Sequence, residues 1–338
     1  MDNSRIVDPE LSAEEEVLYQ SLRAGSWREF KGQHKVKKSI KIAIEAAKKR
    51  KQALEHVMFY GPPGLGKTTL AHIIAKEMDA NIRITSGPAL ERAGDVASIL
   101  TNLEEGDVLF IDEIHRLNKT VEETLYPAME DFALDIVLGK GPGARTVRLD
   151  LQPFTIVGAT TQVGKIAAPM RDRFGVIHRL EFYEDKDLAE IIMGAAAKLE
   201  INLLEDAAVT LAGRSRKTAR IALKLLKRVR DFADVYSHSS IDSAVVEKSL
   251  DLLEVDTLGL DMNDRMILET IIHKFNGGPV GLSTLAAATA EDVVTIEDMY
   301  EPFLMRAGLL KRTPKGRVVT ELAFNHLGLK SSKSNTLF

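Results

Sequence analysis

Cysteine is absent from this 338-residue chain, which excludes disulfides and Cys-ligated zinc. The eight histidines show no metal-site spacing of the His-Glu-x-x-His kind, so zinc chemistry drops out as well. No apolar stretch approaches the length of a bilayer span, and Met1-Asp2-Asn3-Ser4-Arg5 does not open a signal-peptide core. A cytoplasmic protein with no membrane partner is expected. Strong net charge is also missing: the formal value is −4, which does not announce nucleic-acid binding, although a total averages over unlike domains. From Glu301 to Phe338, Arg306, Lys311, Arg312, Lys315, Arg317, Lys330 and Lys333 stand against only Glu301 and Glu321. That local excess suits a polyanion. The chain is too long for one ordinary core, and its 45% hydrophobic and 28% charged residues fit a soluble protein of two or three domains.

The most informative stretch is Gly61-Pro62-Pro63-Gly64-Leu65-Gly66-Lys67-Thr68, which fits the Gly-x4-Gly-Lys-Ser/Thr phosphate loop at every fixed position. Glycines let the backbone approach phosphates, successive N–H groups line an anion-binding concavity, and the next helix adds its positive end. Lys67 is expected to reach the β- and γ-phosphates of ATP and Thr68 to ligate Mg²⁺. Val57-Met58-Phe59-Tyr60 precedes the loop as a buried strand would, and Leu70, Ile73, Ile74 and Met78 follow at helical spacing.

From about Trp27 to Phe182, strand-like and helix-like patterns alternate as in a parallel sheet with helical crossovers. The strands are read at Val57–Tyr60, Ile82–Thr85, Val108–Ile111 and Phe154–Gly158. Residues 1–26 form a polar arm, and 183–255 read as packed helices with one stripe of Ile221, Leu225, Leu226, Val229, Phe232 and Ala233. Between 256 and 330 come helical patterns near Met266–Phe275, Leu282–Ala288 and Ile296–Ala307. A hairpin, Leu309–Arg312 with Arg317–Thr320, then closes around Thr313–Gly316. Three helices and a basic hairpin make a winged helix-turn-helix, and 331–338 read as a loose tail.

Val108-Leu109-Phe110-Ile111-Asp112-Glu113 is an apolar strand that ends in two acids, at the edge where ligands of parallel sheets bind. Asp112 is expected to hold Mg²⁺ and Glu113 to polarise the attacking water. His115 reads as a structural histidine. Phe154–Ala159 ends in Thr160-Thr161, where a hydroxyl would sit beside the γ-phosphate, with Thr160 the candidate. Arg171 and Arg173 flank Asp172; such a cluster is either a solvated patch or a source of an arginine for a neighbouring subunit's site. The basic hairpin carries Lys311, Arg312, Lys315 and Arg317 without interleaved aromatics, so phosphate contact is indicated and base stacking is not.

These motifs resemble the AAA+ ATPases and, within them, the RuvB family of Holliday-junction branch-migration motors. The resemblance covers nearly the whole chain. Its specific strings are Asp112–Leu117, Leu125–Asp131, Arg171–Gly175, Arg228–Ala233, Gly277–Leu282 and Arg312–Arg317. It implies an AAA+ parallel-sheet domain over 27–182, a helical lid over 183–255 and a winged helix over 256–330. It further implies that Arg173 acts in trans as a finger and that Arg220 reads the γ-phosphate within its own chain. Leu22, Arg23 and Tyr183 fall around the base and ribose. Nucleotide contacts are also implied at Gly61, Gly64, Leu65, Gly66, Thr69, Glu130, Asp131 and Phe132. An insertion at about 134–151 alternates with period two and reads as a hairpin. In the family it offers apolar residues to RuvA, which makes Ile136, Leu138, Val147 and Leu149 the candidates. The implied function is ATP-driven branch migration by a homo-hexameric ring on duplex arms of a junction, with RuvA and alongside the RuvC resolvase.

Several positions depart from the family pattern. Ala24 replaces the proline after Arg23, Lys217-Thr218-Ala219 replaces Gly-Thr-Pro before Arg220, Gln162 replaces an arginine, and Val293 replaces a basic residue. A clamp loader is disfavoured by the hairpin insertion and the winged domain. A DNA-bound ATP switch that does not translocate shares every core motif, and the core motifs alone do not separate it from a motor.

Overall fold

The computed structural model describes residues 21–138 and 145–329, apart from the side chains of 136–138 and 145. The arm, the tail and the turn at 139–144 lie outside the described residues, as do the side chains of Ile136 and Leu138. The chain divides into two compact units, Arg23–Phe182 and the part from Tyr183 onward, with which Leu22 is grouped.

The first unit is built on a five-stranded sheet. In chain order its strands are β1 (Val57–Tyr60), β2 (Ile82–Ser86), β3 (Val108–Asp112), β6 (Thr155–Thr160) and β7 (Val176–Arg179). They lie side by side as β2-β3-β6-β1-β7, every pair parallel. Residues of β1, β3 and β6 are buried on both faces, which is why these strands read as continuous apolar runs and not as alternating ones. Four strands match the expected ones within two residues. The fifth, β7, was not expected: it alternates half-buried and exposed residues, with His178 and Arg179 breaking the apolar pattern, as an edge strand does.

Helices α1 (His34–Arg50), α2 (Lys67–Met78), α3 (Ala93–Leu100), α4 (Lys119–Glu130) and α5 (Ala168–Asp172) complete this unit. The Asn118 side chain caps α4 by accepting from the Val121 N–H, and the helix buries Val121, Leu125 and Ala128 against Met58, Leu109, Ile111 and Ile156. Helix α2 buries Leu70, Ile73 and Ile74. Strands β4 (Ala133–Leu138) and β5 (Arg145–Asp150) form the expected hairpin, antiparallel, with Ile136 opposite Val147.

The second unit opens with α6 (Asp185–Lys198), α7 (Glu205–Arg214), α8 (Ala219–Val235) and α9 (Ser243–Leu252). The stripe on α8 is buried at Ile221, Leu225, Leu226, Val229 and Ala233, while Phe232 is half-buried. Ala219 stands where the proline was expected at the start of α8, and the Thr218 hydroxyl caps the helix by accepting from the Ile221 N–H. The unit continues with α10 (Met262–Phe275), α11 (Leu282–Thr289), α12 (Val293–Thr295), α13 (Glu301–Arg306), the hairpin β8 (Leu310–Thr313) and β9 (Gly316–Val319), and α14 (Glu321–His326). The expected helix Ile296–Ala307 is interrupted: a π turn occupies Ile296–Tyr300, just before Pro302, which has no N–H to give the helical ladder. Val280 pairs with Arg317 and adds a third rung to the wing. Only glycine fits beside it at 278, because a Cβ there would stand 2.3 Å from the Arg317 carbonyl oxygen.

Lid helices and winged helix belong to one compact unit. A buried ion cluster fastens them: Arg216 Nη2 lies 2.6 Å from both Asp261 Oδ2 and Asp264 Oδ2, and Arg216 Nε donates to the Gly259 carbonyl at 3.0 Å. One guanidinium serves two carboxylates, and burial pushes the Asp264 carboxyl upward against the pull of Arg216.

Candidate active site

Parallel strands deliver their C-terminal ends to one edge of the sheet, and the candidate residues follow three of those ends. Tyr60 at the end of β1 is level with Thr160 at the end of β6, and Ile111 is level with Gly158, so Asp112 comes one residue further toward the same edge. The phosphate loop leaves β1 at Gly61, whose N–H donates to the Thr160 carbonyl at 3.1 Å. Gly61 has φ +141°, and a Cβ there would stand 2.7 Å from the Leu180 carbonyl oxygen, so no other residue serves. The loop runs straight into α2, which starts at Lys67 with Gly66 as its cap, and presents the helix N-terminus to an anion. Thr68 and Thr69 stand in its first turn.

Lys67 is 8% exposed, and its Nζ donates to the carbonyls of Gly61 at 2.8 Å and Pro62 at 3.0 Å. A buried ammonium held by the carbonyls of its own loop fits a site built for a polyphosphate. Around the acids a second network forms. Glu113 Oε2 accepts from the Thr161 N–H at 3.2 Å and the Thr161 hydroxyl at 3.1 Å, and His115 Nδ1 lies 3.1 Å from the same oxygen. Thr160 is fully buried; its hydroxyl meets His115 Nδ1 at 3.0 Å and accepts from the Gln162 N–H at 2.9 Å. Thr160 thus meets Glu113 by way of His115. The threonine that touches Glu113 directly is Thr161, the second of the pair at the end of β6. The alternation of β6 was the available signal, since adjacent strand residues point to opposite faces.

Arg23 Nη1 lies 3.2 Å from His72 Nε2 on α2, so the segment is tied to the phosphate helix although Ala24 stands where a proline was expected. Leu22 is buried. Tyr183 and Arg220 belong to the second unit. There the Tyr183 N–H donates to the Lys217 carbonyl at 2.9 Å, and Arg220 stands in the first turn of α8. Glu130, Asp131, Phe132 and Arg173 gather at the end of α4. Arg173 Nη2 is 3.1 Å from Glu130 Oε1, and Arg148 Nη2 donates to Asp131 Oδ2 at 2.7 Å. The Phe132 ring packs edge-on against Phe154 at 5.7 Å between centroids.

In the wing the four cations are not equivalent. Lys311 and Lys315 are exposed and make no hydrogen bond or ion pair among the described residues. Arg312 pairs with Glu297 and lies 3.4 Å from Glu301 Oε2. Arg317 is buried, with its guanidinium clasped by the buried carboxylate of Glu301. The expectation of four free phosphate contacts is corrected accordingly: Arg317 is turned into the domain, where it is the principal partner of the buried Glu301 carboxylate. Among the described residues no group of three or more His, Asp or Glu is placed to hold a metal ion alone, and no helix is long and apolar enough to cross a membrane.

A phosphate loop, an acidic strand end and a polar strand end on one parallel sheet, followed by a helical lid and a winged helix, define a P-loop ATPase of the AAA+ class. Three family models match this chain in succession. They are the P-loop domain of the Holliday junction DNA helicase RuvB over residues 22–180, the RuvB AAA lid domain over 183–256 and the RuvB C-terminal winged-helix domain over 257–328. A protein of Chloroflexus aggregans named Holliday junction branch migration complex subunit RuvB is 55% identical over 97% of this chain and 94% of its own length. The solved Thermotoga maritima RuvB Holliday junction branch migration motor has a TM-score of 0.85 and 52% identity, covering 92% of this chain and 99% of that one. A single-residue variant of the same Thermotoga protein gives the same score and identity over 91% and 99%. The chain belongs to the RuvB family.

Proposed function

We propose that this chain is an ATP-driven DNA translocase that migrates Holliday junctions during recombination and repair. It works in the cytoplasm as a homo-hexameric ring with RuvA and alongside the RuvC resolvase. The observation that supports this most is the hydrogen-bonded group of Glu113, Thr161 and His115 beside the phosphate loop, in a chain that carries all three RuvB domains.

Lys67 Nζ exchanges its loop carbonyls for β- and γ-phosphate oxygens, and the backbone from Gly61 to Gly66, with Leu65 and Thr69, cradles the rest. Thr68 and Asp112 are the residues that would hold Mg²⁺. There the metal would supply positive charge to offset that of the phosphate oxygens. Glu113 keeps Oε2 tied to Thr161 and takes the proton of the attacking water on Oε1. Arg220 senses the terminal phosphate within the chain, and Leu22, Arg23 and Tyr183 frame the base and ribose. Arg173 enters the neighbouring protomer's site, to which Glu130, Asp131 and Phe132 also contribute; fingers of this kind are worth about 10³ to 10⁵ in rate.

Lys311, Lys315 and, on leaving Glu297, Arg312 hold duplex phosphates without reading sequence. Val147 and Leu149 are 39% and 38% exposed on the hairpin, and with Ile136 and Leu138 they dock RuvA through apolar contact. The test is dissociation of a four-way junction at stated salt, with and without RuvA. Wild type moves the junction in an ATP-dependent way and Lys67→Ala does not. Absence of ATP-dependent movement by wild type in every condition overturns the motor and leaves an ATP-driven switch.

A further inference from the structure

Arg173 closes α5, and its guanidinium is engaged within its own unit. Nη1 donates to the Pro169 carbonyl at 2.6 Å, Nη2 faces Glu130 at 3.1 Å, and Cζ lies 4.3 Å from the centre of the Tyr126 ring. Nε is buried and has no acceptor among the described residues. The supports are unequal. The Glu130 side chain is 57% exposed, against 18% for Arg173, so water screens that pair and an incoming anion displaces it. The Tyr126 ring attracts the cation without neutralising it. It is also the firmer support: the ring is packed against the core under α4, and its hydroxyl lies 3.5 Å from Glu122 Oε2. Burial first, then the Glu122 charge, pushes the phenol upward, which keeps the ring neutral in the physiological range.

We propose that Tyr126 is a positioning residue for hydrolysis in the neighbouring protomer. Its ring is the platform on which the Arg173 guanidinium stays oriented while Glu130 gives way to the terminal phosphate. The inference rests on the trans role of Arg173 given above. A guanidinium held over a neutral ring keeps its full charge, and the N–H group that Glu130 releases can turn to the developing charge on phosphate oxygens. A second carboxylate in place of the ring would offset that charge.

The test is a double-mutant cycle on steady-state ATP hydrolysis by the assembled full-length protein. Tyr126→Leu is expected to lower kcat roughly tenfold with KM for ATP changed by less than about twofold, and Tyr126→Phe to restore most of the loss. In an Arg173→Ala background, Tyr126→Leu is expected to have no further effect, because the platform then carries nothing. A wild-type kcat for Tyr126→Leu, or an equal loss with and without Arg173, overturns the proposal. If Arg173→Ala itself leaves kcat unchanged, the trans reading fails first and takes Tyr126 with it. Should Tyr126→Leu melt early, Tyr126→Met fills similar space without an aromatic face and takes its place in the cycle.

Discussion

His56 ties the sheet to the helix that carries Glu130, and it does so with both ring nitrogens. Nδ1 accepts from the Ile156 N–H at 2.9 Å, which places the ring proton on Nε2, and that nitrogen donates to the Met129 carbonyl at 3.1 Å. The rings of Phe132, Phe154 and Phe174 surround it. Burial outweighs the Met129 carbonyl and lowers the His56 pKa from 6.5 to about 4. The folded state thus favours the neutral ring, and its stabilisation is complete above pH 6.5 and lost as pH falls through about 4. A shift of that size corresponds to about 3 kcal/mol. The single tryptophan, Trp27, lies in the same unit and reports its urea midpoint. The wild-type midpoint is expected to fall more steeply with acid than that of His56→Gln over this window; parallel curves would show that His56 is no such brace.

The wing illustrates why charge at a hairpin is not yet a DNA contact. Lys311 and Lys315 face solvent, whereas Arg317 is consumed by Glu301 inside the domain. Removing either lysine is expected to weaken DNA binding and to reduce the magnitude of the log affinity against log salt slope by about one. Arg317→Ala is expected to act on stability, costing up to about 3 kcal/mol, because it leaves the buried Glu301 carboxylate with only the half-exposed Arg312 at 3.4 Å. Binding isotherms at several salt concentrations and urea melts of the same variants separate the two outcomes. If Arg317→Ala melts like wild type yet loses one unit of salt slope, the buried pair is not structural. The hairpin at β4 and β5 was legible because alternation with period two survives in a two-stranded ribbon. Strand β7 was not legible, because Val176-Ile177-His178-Arg179 does not alternate apolar with polar and only its pairing with β1 makes it a strand.

Across the molecule, lid and winged helix read as separate segments yet share one compact unit. Arg216 is the reason at atomic level, since it reaches from the loop before α8 to Asp261 and Asp264 at the start of α10, with the Phe303 ring 5.3 Å from its Cζ. Arg216→Met is expected to cost about 3–5 kcal/mol by leaving two buried carboxylates unpaired. In urea, the helical signal of circular dichroism should then melt earlier while Trp27 fluorescence keeps its wild-type midpoint. Simultaneous loss of both signals would contradict the division into two units.

The order of the motifs along the chain was enough to establish the parallel sheet, the phosphate loop and the acids at its edge. These depend on local patterns: apolar runs, glycine spacing, and carboxylates or hydroxyls at strand ends. Folding settled which groups face which. It set Thr161, not Thr160, against Glu113, turned Arg317 inward, laid Arg173 on Tyr126 and closed Arg216 on two aspartates. Each of these joins residues distant in the chain or chooses between adjacent ones, and such choices are made by packing and by the need to pair every buried charge.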